Sequence, residues 1–129
     1  MGQLLDAGHG DCVLRNPANA SHVVDALRFK DGAAYHLYAW VVMPNHVHVL
    51  MSLSDGSKLE KIIAAWKRWS ANQIQRNSGT RGGIWQKDYF DRMIRDHAHF
   101  QRVIRYIRNN PEKAGLRENE YALFVEDGR

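Results

Sequence analysis

Apolar positions recur along this chain with two spacings, and the changes of spacing divide it into elements. "AYHLYAWVVMP" (Ala34 to Pro44) is dense in aromatic and β-branched residues and predicts a strand. Pro44-Asn45 predicts a tight turn, and "HVHVLMSL" (His46 to Leu53) returns as the partner strand of a hairpin. Ahead of it, "NPANASHVVDALRFKDG" carries Val23, Ala26, Leu27 and Lys30 at helical spacing. Asn16 is placed to cap that helix, Pro17 sits at its first position, where a missing N–H is harmless, and Gly32 stops it. "DCVLR" (Asp11 to Arg15) predicts a short strand before the helix.

The second half returns to the helical period. Ser57 with Glu60 three residues later forms a capping-box pattern. After it, Leu59, Ile62, Ile63, Trp66, Trp69 and Ile74 fall on one side of a long helix, and Lys58, Lys61, Lys67 and Arg68 fall largely off it. "SGTRGG" (Ser78 to Gly83) is a flexible connector, and "IWQKDYFDRMIRD" (Ile84 to Asp96) is aromatic and partly extended. Asp96 caps a last helix, "HAHFQRVIRYIRNN", whose apolar stripe is Phe100, Val103, Ile104 and Ile107 and which Pro111 and Gly115 end. The pattern is one α+β domain over residues 1–129, without repeats, residues 119–129 being a C-terminal tail.

Composition narrows the class. At 129 residues and 14.9 kDa the chain suits a single core, and no apolar run approaches the ~18–20 residues of a membrane span. No signal peptide opens it, so the expectation is a cytoplasmic protein. Cys12 is the single cysteine, which excludes an internal disulfide and a thiolate-cluster zinc site; it reads as a small buried side chain. Charge is uneven. Residues 58 to 117 hold 14 of the 18 Lys and Arg against five acids, a local +9 in a chain of +4. Such a face suits a phosphate-rich partner, although a solvated surface has the same composition.

The unusual feature is a pair of histidines inside the most β-prone segment. Residues two apart on a strand share a face, so His46, His48 and Leu50 look one way and Val47, Val49 and Met51 the other. Two imidazoles so placed can grip one divalent metal, and they can equally be the polar face of a half-exposed strand. His97 and His99 have the same spacing at a helix start, where i and i+2 diverge, so that pair is no chelate. On the last helix Tyr106 and Asn110 are one turn apart, beside the apolar stripe. Alone, each has an ordinary role, in packing and in helix termination. With the histidine pair they suggest a metal facing a tyrosine hydroxyl, Asn110 supplying a carbonyl oxygen ligand.

"VVMPNHVHVL", "WQKDYFDRMIRD" and "YIRNNPEKAGL", in that order, resemble the REP-associated tyrosine transposases, which belong to the single-tyrosine HUH transposases of insertion sequences. The resemblance covers roughly residues 6 to 117. It implies that His46-Val47-His48 is the HUH motif, Tyr106 the nucleophile and Asn110 the further metal-ligand position. It implies a ferredoxin-like α+β sandwich with a central antiparallel sheet and flanking helices. It also implies cleavage of single-stranded DNA beside a hairpin, through a 5′-phosphotyrosine. A free tyrosine hydroxyl has a pKa of about 10 and is a poor nucleophile unaided. A divalent ion, Mg²⁺ or Mn²⁺ in use and Zn²⁺ or Ni²⁺ in vitro, would therefore act on the scissile phosphate. Such a protein would be bacterial, and nucleoid-associated when bound to DNA.

Members of the family usually carry a further strand and helix ahead of the "LDAGHGDCVLRNP" region, where this chain begins. The expected sheet therefore lacks its usual N-terminal strand, which leaves an edge exposed or to be covered by a second copy in a strand-exchanged homodimer. For DNA, Lys67 and Arg68 on the second helix and Arg92, Arg95, Arg102 and Arg105 near the tyrosine are candidate phosphate contacts. Trp85 and Tyr89 are candidate stacking platforms for unpaired bases, and Phe90 is expected in the core. Two other functions fit the same residues: a catalytically silent hairpin-binding relative, and an unrelated His-x-His metalloprotein with no use for Tyr106.

Overall fold

A computed structural model describes residues 2–9, 13–78 and 84–126 of the chain. Its elements are β1 (Gln3–His9), α1 (Pro17–Arg28), β2 (Tyr35–Val42), β3 (His46–Leu53), α2 (Leu59–Ser78), β4 (Trp85–Met93), α3 (His97–Lys113) and β5 (Ala122–Val125). The strands form one sheet in the order β4-β1-β3-β2-β5, and every neighbouring pair is antiparallel. The βαββαβ run from β1 to β4 is the ferredoxin-like arrangement expected from the sequence. To it α3 and β5 are added. Among the described residues no helix is long and apolar enough to cross a membrane.

The sheet has a core on each face. Val47, Val49 and Met51 of β3 pack with Leu27 of α1 and Ile62, Ile63, Trp66 and Ile74 of α2. On the other face Leu50 packs with Ala39 and Val41 of β2 and with Phe100, Val103, Ile104 and Ile107 of α3. Alternation along β2 slips by one residue at a bulge between Leu37 and Ala39, so Tyr35 and Leu37 share a face with Trp40 and Val42.

Several expectations change. The missing strand is not missing: Gln3–His9 runs through the sheet interior as β1, paired with β3 on one side and β4 on the other. Its glycine and its polar residues hide it from a reading based on apolar alternation. The argument for strand exchange rested on that vacancy and loses its premise. Val13–Arg15 is a 3-10 turn rather than a strand. Asp11, Cys12 and the 79–83 part of the connector lie outside the described residues. Residues 122–125 of the tail form β5 on the free side of β2. The second helix begins at Leu59, one residue later than a Ser57 cap would start it, with the Lys58 carbonyl accepting from Ile62 N–H. Pro111 lies inside the last turn of α3 rather than ending it. The chain leaves the helix at Gly115, whose φ of 74° is left-handed. Trp69 is 42% exposed, because the buried stripe steps by four from Trp66 to Ser70 to Ile74 and places Ser70 inward.

Ser70 belongs to a chain of buried hydrogen bonds joining the helices to the sheet. Trp85 Nε1 donates to the Ser70 hydroxyl (3.0 Å), which donates to the Trp66 carbonyl (2.7 Å). Trp66 Nε1 in turn donates to the Tyr35 hydroxyl (3.0 Å), which donates to the Leu27 carbonyl. Burial raises the pKa of Tyr35, so its hydroxyl stays a donor across ordinary pH. Tyr35→Phe strands the Trp66 N–H and the Leu27 carbonyl in the core, and a loss of about 1–3 kcal/mol is expected in urea unfolding. A change below about 0.5 kcal/mol would show that the hydroxyl does not join these elements.

At the start of α3 the Asp96 carboxylate accepts the His99 N–H (2.8 Å), and that bond is the main reason its pKa is held below the ordinary value of 3.8. A folded-state pKa below the unfolded one means that the stabilisation is present above that value and lost as pH falls through the folded one. Asp96→Ala is expected to lower the melting temperature at pH 7 and to match the parent at about pH 2. Equal melting at neutral pH would remove the cap from the account of this helix.

Candidate active site

Antiparallel partners point to the same face, so the sheet register dictates which side chains meet. Asp6 of β1 lies opposite His48 on one side and opposite Phe90 of β4 on the other, a row of three across the sheet. The neighbouring row is Arg92, Leu4 and Leu50. As their alternation predicts, His46 and His48 share this face, with rings stacked at 6.1 Å between centroids and 17° between planes. His48 is buried, and its Nδ1 has no hydrogen-bond partner. Burial lowers its pKa, with His46 adding to the effect and Asp6 opposing it. The imidazole is therefore neutral at pH 7, the form that can ligate a metal.

Above this face lies α3. Burying Phe100, Val103, Ile104 and Ile107 turns His99, Arg102 and Tyr106, at i, i+3 and i+7, toward β1 and β4. Tyr106 is 50% exposed, and its ring stands edge-on to His48, with centroids 5.4 Å apart and planes at 85°. Together Asp6, His48, Phe90, Arg92, His99, Arg102 and Tyr106 line a hollow of about 630 Å³. A second hollow of about 650 Å³, between α1 and α2, is lined mainly by apolar residues and shares none with the first. Histidines line the first of these two and not the second, whose ionisable groups are Asp25, Lys30, Tyr35, Lys58 and Lys61.

The candidate residues thus separate. His48, Tyr106, Arg92 and Arg102 line the hollow together, and His46 stacks on His48 without being among the lining residues. Asn110 is half-buried one turn beyond Tyr106 and is not among the residues lining the hollow. Arg95 and Arg105 are exposed on its flanks, Arg95 donating its backbone N–H to His99 Nδ1 (3.3 Å). Lys67, Arg68 and Trp85 are placed by α2 and its packing on the opposite face. Lys67 donates to the Gln86 carbonyl (2.9 Å) and lies 5.7 Å over the Tyr89 ring, while Trp85 and Tyr89 pack against the α1/α2 core. The expectation for β4 is reversed at Phe90, which is 76% exposed beside the hollow. Its alternation with Tyr89 is the signal that could have shown this. Of the residues lining the hollow, sequence reasoning passed over Asp6 and Asp91, expected Phe90 in the core and set His99 aside as no chelate. Although His97 and His99 form no chelate, His99 lines the hollow by itself.

Among the described residues no group of three or more His, Cys, Asp or Glu is arranged to hold a metal. The donor set is two imidazoles stacked on one strand face. It fits a divalent ion that completes its shell with neutral or substrate oxygens.

Residues 26–110 match a family model described as "Transposase IS200 like". The chain belongs to the IS200-like transposase family. The matched range of this family member contains His46, His48, Tyr106 and Asn110 and stops short of Asp6. A REP-associated tyrosine transposase of Escherichia coli (strain K12) is 27% identical over 89 residues, 69% of this chain and 52% of that protein. The chain spans about half the length of the curated relatives it matches. In fold, it superposes on a solved REP-associated tyrosine transposase bound to a REP hairpin with a TM-score of 0.70 and 20% identity, covering 91% of this chain and 70% of the other. A crystal structure from Deinococcus radiodurans gives 0.59 and 21%, covering 84% and 89%. The transposase-type α+β sandwich expected from the sequence is the fold observed.

Proposed function

We propose that this IS200-like family member is a metal-dependent single-stranded DNA endonuclease and strand transferase that cleaves beside a DNA hairpin. The observation that carries the reading is the edge-on approach of the Tyr106 ring to His48 in a hollow with Arg92 and Arg102, the His46 ring being stacked on His48. Hairpin DNA as the substrate is supported by the solved REP-associated tyrosine transposase of the same fold, which is bound to a REP hairpin.

In this reading His46 and His48 would hold Mg²⁺ or Mn²⁺, with Asn110 as the further oxygen ligand. A bound divalent ion would take the scissile phosphate's free oxygens and stabilise the charge that develops on them. Arg92 and Arg102 bind backbone phosphates on either side, Arg95 and Arg105 extend that contact, and Phe90 stacks on an unpaired base. Lys67, Arg68 and Trp85, on the α2 side of the sheet, would contact DNA only where it wraps beyond the hollow. The Tyr106 oxygen attacks phosphorus and gives up its proton. The bond from phosphorus to the 3′ oxygen breaks, that oxygen takes a proton, and the 5′ phosphate stays on the tyrosine. A 3′ hydroxyl can reverse the step and join strands, since the phosphotyrosine keeps the energy of the broken diester.

Incubation with Mn²⁺ and a labelled hairpin oligonucleotide is expected to give a protein–DNA adduct that survives a denaturing gel and is absent with chelator. Salt-dependent hairpin binding without an adduct would replace this reading by a silent DNA-binding relative. Metal binding without DNA affinity would leave a family member whose metal site does not act on DNA.

A further inference from the structure

The row that carries His48 also carries a carboxylate for which the cleavage reading has no use. Asp6 lies on β1 directly opposite His48 and diagonal to His46, outside the residues matched by the family model. Its Oδ1 is 3.4 Å from His46 Nδ1 and 3.8 Å from His48 Nδ1. Both rings therefore turn the same nitrogen toward one oxygen. The two nitrogens of an imidazole diverge, so a ring that presents Nδ1 to Asp6 presents Nε2 elsewhere. We propose that Asp6 is a positioning residue whose single oxygen accepts Nδ1–H from both His46 and His48, fixing the tautomer that frees both Nε2 atoms for a divalent cation. The cation rests on the function proposed above; the tautomer does not.

Three features of the site converge on this role. A carboxylate oxygen has two lone pairs and can serve two donors at once. His48 Nδ1 is buried without a partner, and an approach of about 1 Å brings it within hydrogen-bond range of Asp6. Gly8, opposite His46, brings no side chain, so Asp6 is the group from β1 that faces both rings. A carboxylate standing behind metal-ligating imidazoles holds their orientation and raises their basicity.

Nitrogen NMR of the imidazoles in metal-free protein at about pH 8, above ordinary histidine titration, reads the tautomers directly. The parent protein is expected to carry Nδ1–H on His46 and His48, and Asp6→Ala to shift both toward Nε2–H. Mn²⁺ affinity by EPR titration should fall about 10–100-fold in Asp6→Ala, and less than about threefold in Asp6→Asn, whose amide oxygen still accepts. Nε2–H on both rings of the parent would overturn the proposal, and that measurement needs no variant to fold. Equal Mn²⁺ losses in the two variants with unchanged tautomers would overturn it in favour of direct ligation. If the parent bound no Mn²⁺ and formed no adduct, the cleavage reading would fall while the tautomers still decided the role of Asp6.

Discussion

Replacing Tyr106 by phenylalanine should abolish the covalent protein–DNA adduct while leaving hairpin and Mn²⁺ affinity within about twofold. The separation follows from where the ring sits. Tyr106 is 50% exposed at the rim of the hollow, and its contact with His48 is ring edge against ring face at 5.4 Å, which a phenyl group reproduces. Only the hydroxyl disappears, and among the described residues no hydrogen bond of that hydroxyl supports the fold. Stability should therefore change little, whereas removal of the nucleophile itself should lower adduct formation by about 10³-fold or more. Persistence of the adduct at a tenth of the parent level would place the nucleophile on another residue and end the Tyr106 assignment.

How much of this was legible depends on how strongly each segment announces its period. The hairpin and α3 were readable because their apolar positions have only one consistent burial. Val47, Val49 and Met51 cannot be buried together except on the face opposite His46 and His48, and Phe100, Val103, Ile104 and Ile107 define one stripe. Those two elements carry the histidines and the tyrosine, so the faces these candidate residues occupy could be written down before their geometry was known.

The rest failed for local reasons. In β1, Asp6 and Gly8 share a face and break the apolar run, so the strand went unread, and with it the carboxylate that meets both histidines. A polar group central in a sheet needs a partner, but that argument could be applied only after the strand was recognised. In β4 the question was which of Tyr89 and Phe90 looks inward, and two adjacent aromatics carry equal apolar weight. Pairing settled it: Phe90 stands opposite Asp6, while Tyr89 joins the α1/α2 core. The sites of Lys67 and Trp85 depended on α2 and α3 taking opposite faces, which is a property of topology and not of any single helix. Four residues of β5 were too short a run to stand out against a polar tail.

The second large effect is expected at His48. His48→Ala removes one of two proposed imidazole ligands, and divalent-ion affinity should fall by about 100-fold or more, with adduct formation falling in step. His46→Ala should weaken the ion similarly, so metal alone does not tell the two apart; pH does. His48 is buried with its pKa lowered first by burial, so the folded protein resists its protonation while the unfolded chain accepts the proton near the ordinary 6.5. The stability linked to a neutral His48 is thus present above that value and is lost as pH falls from it toward the lower folded-state pKa. In metal-free protein, denaturant midpoints measured at pH 7.5 and again at about pH 5 should fall for the parent by more than for His48→Ala. The histidines remote from His48 are common to both proteins and cancel in that comparison. Parallel pH slopes would mean that the His48 ring takes up its proton as easily in the folded chain as in the unfolded one. The buried, neutral imidazole on which the metal site depends would then not exist.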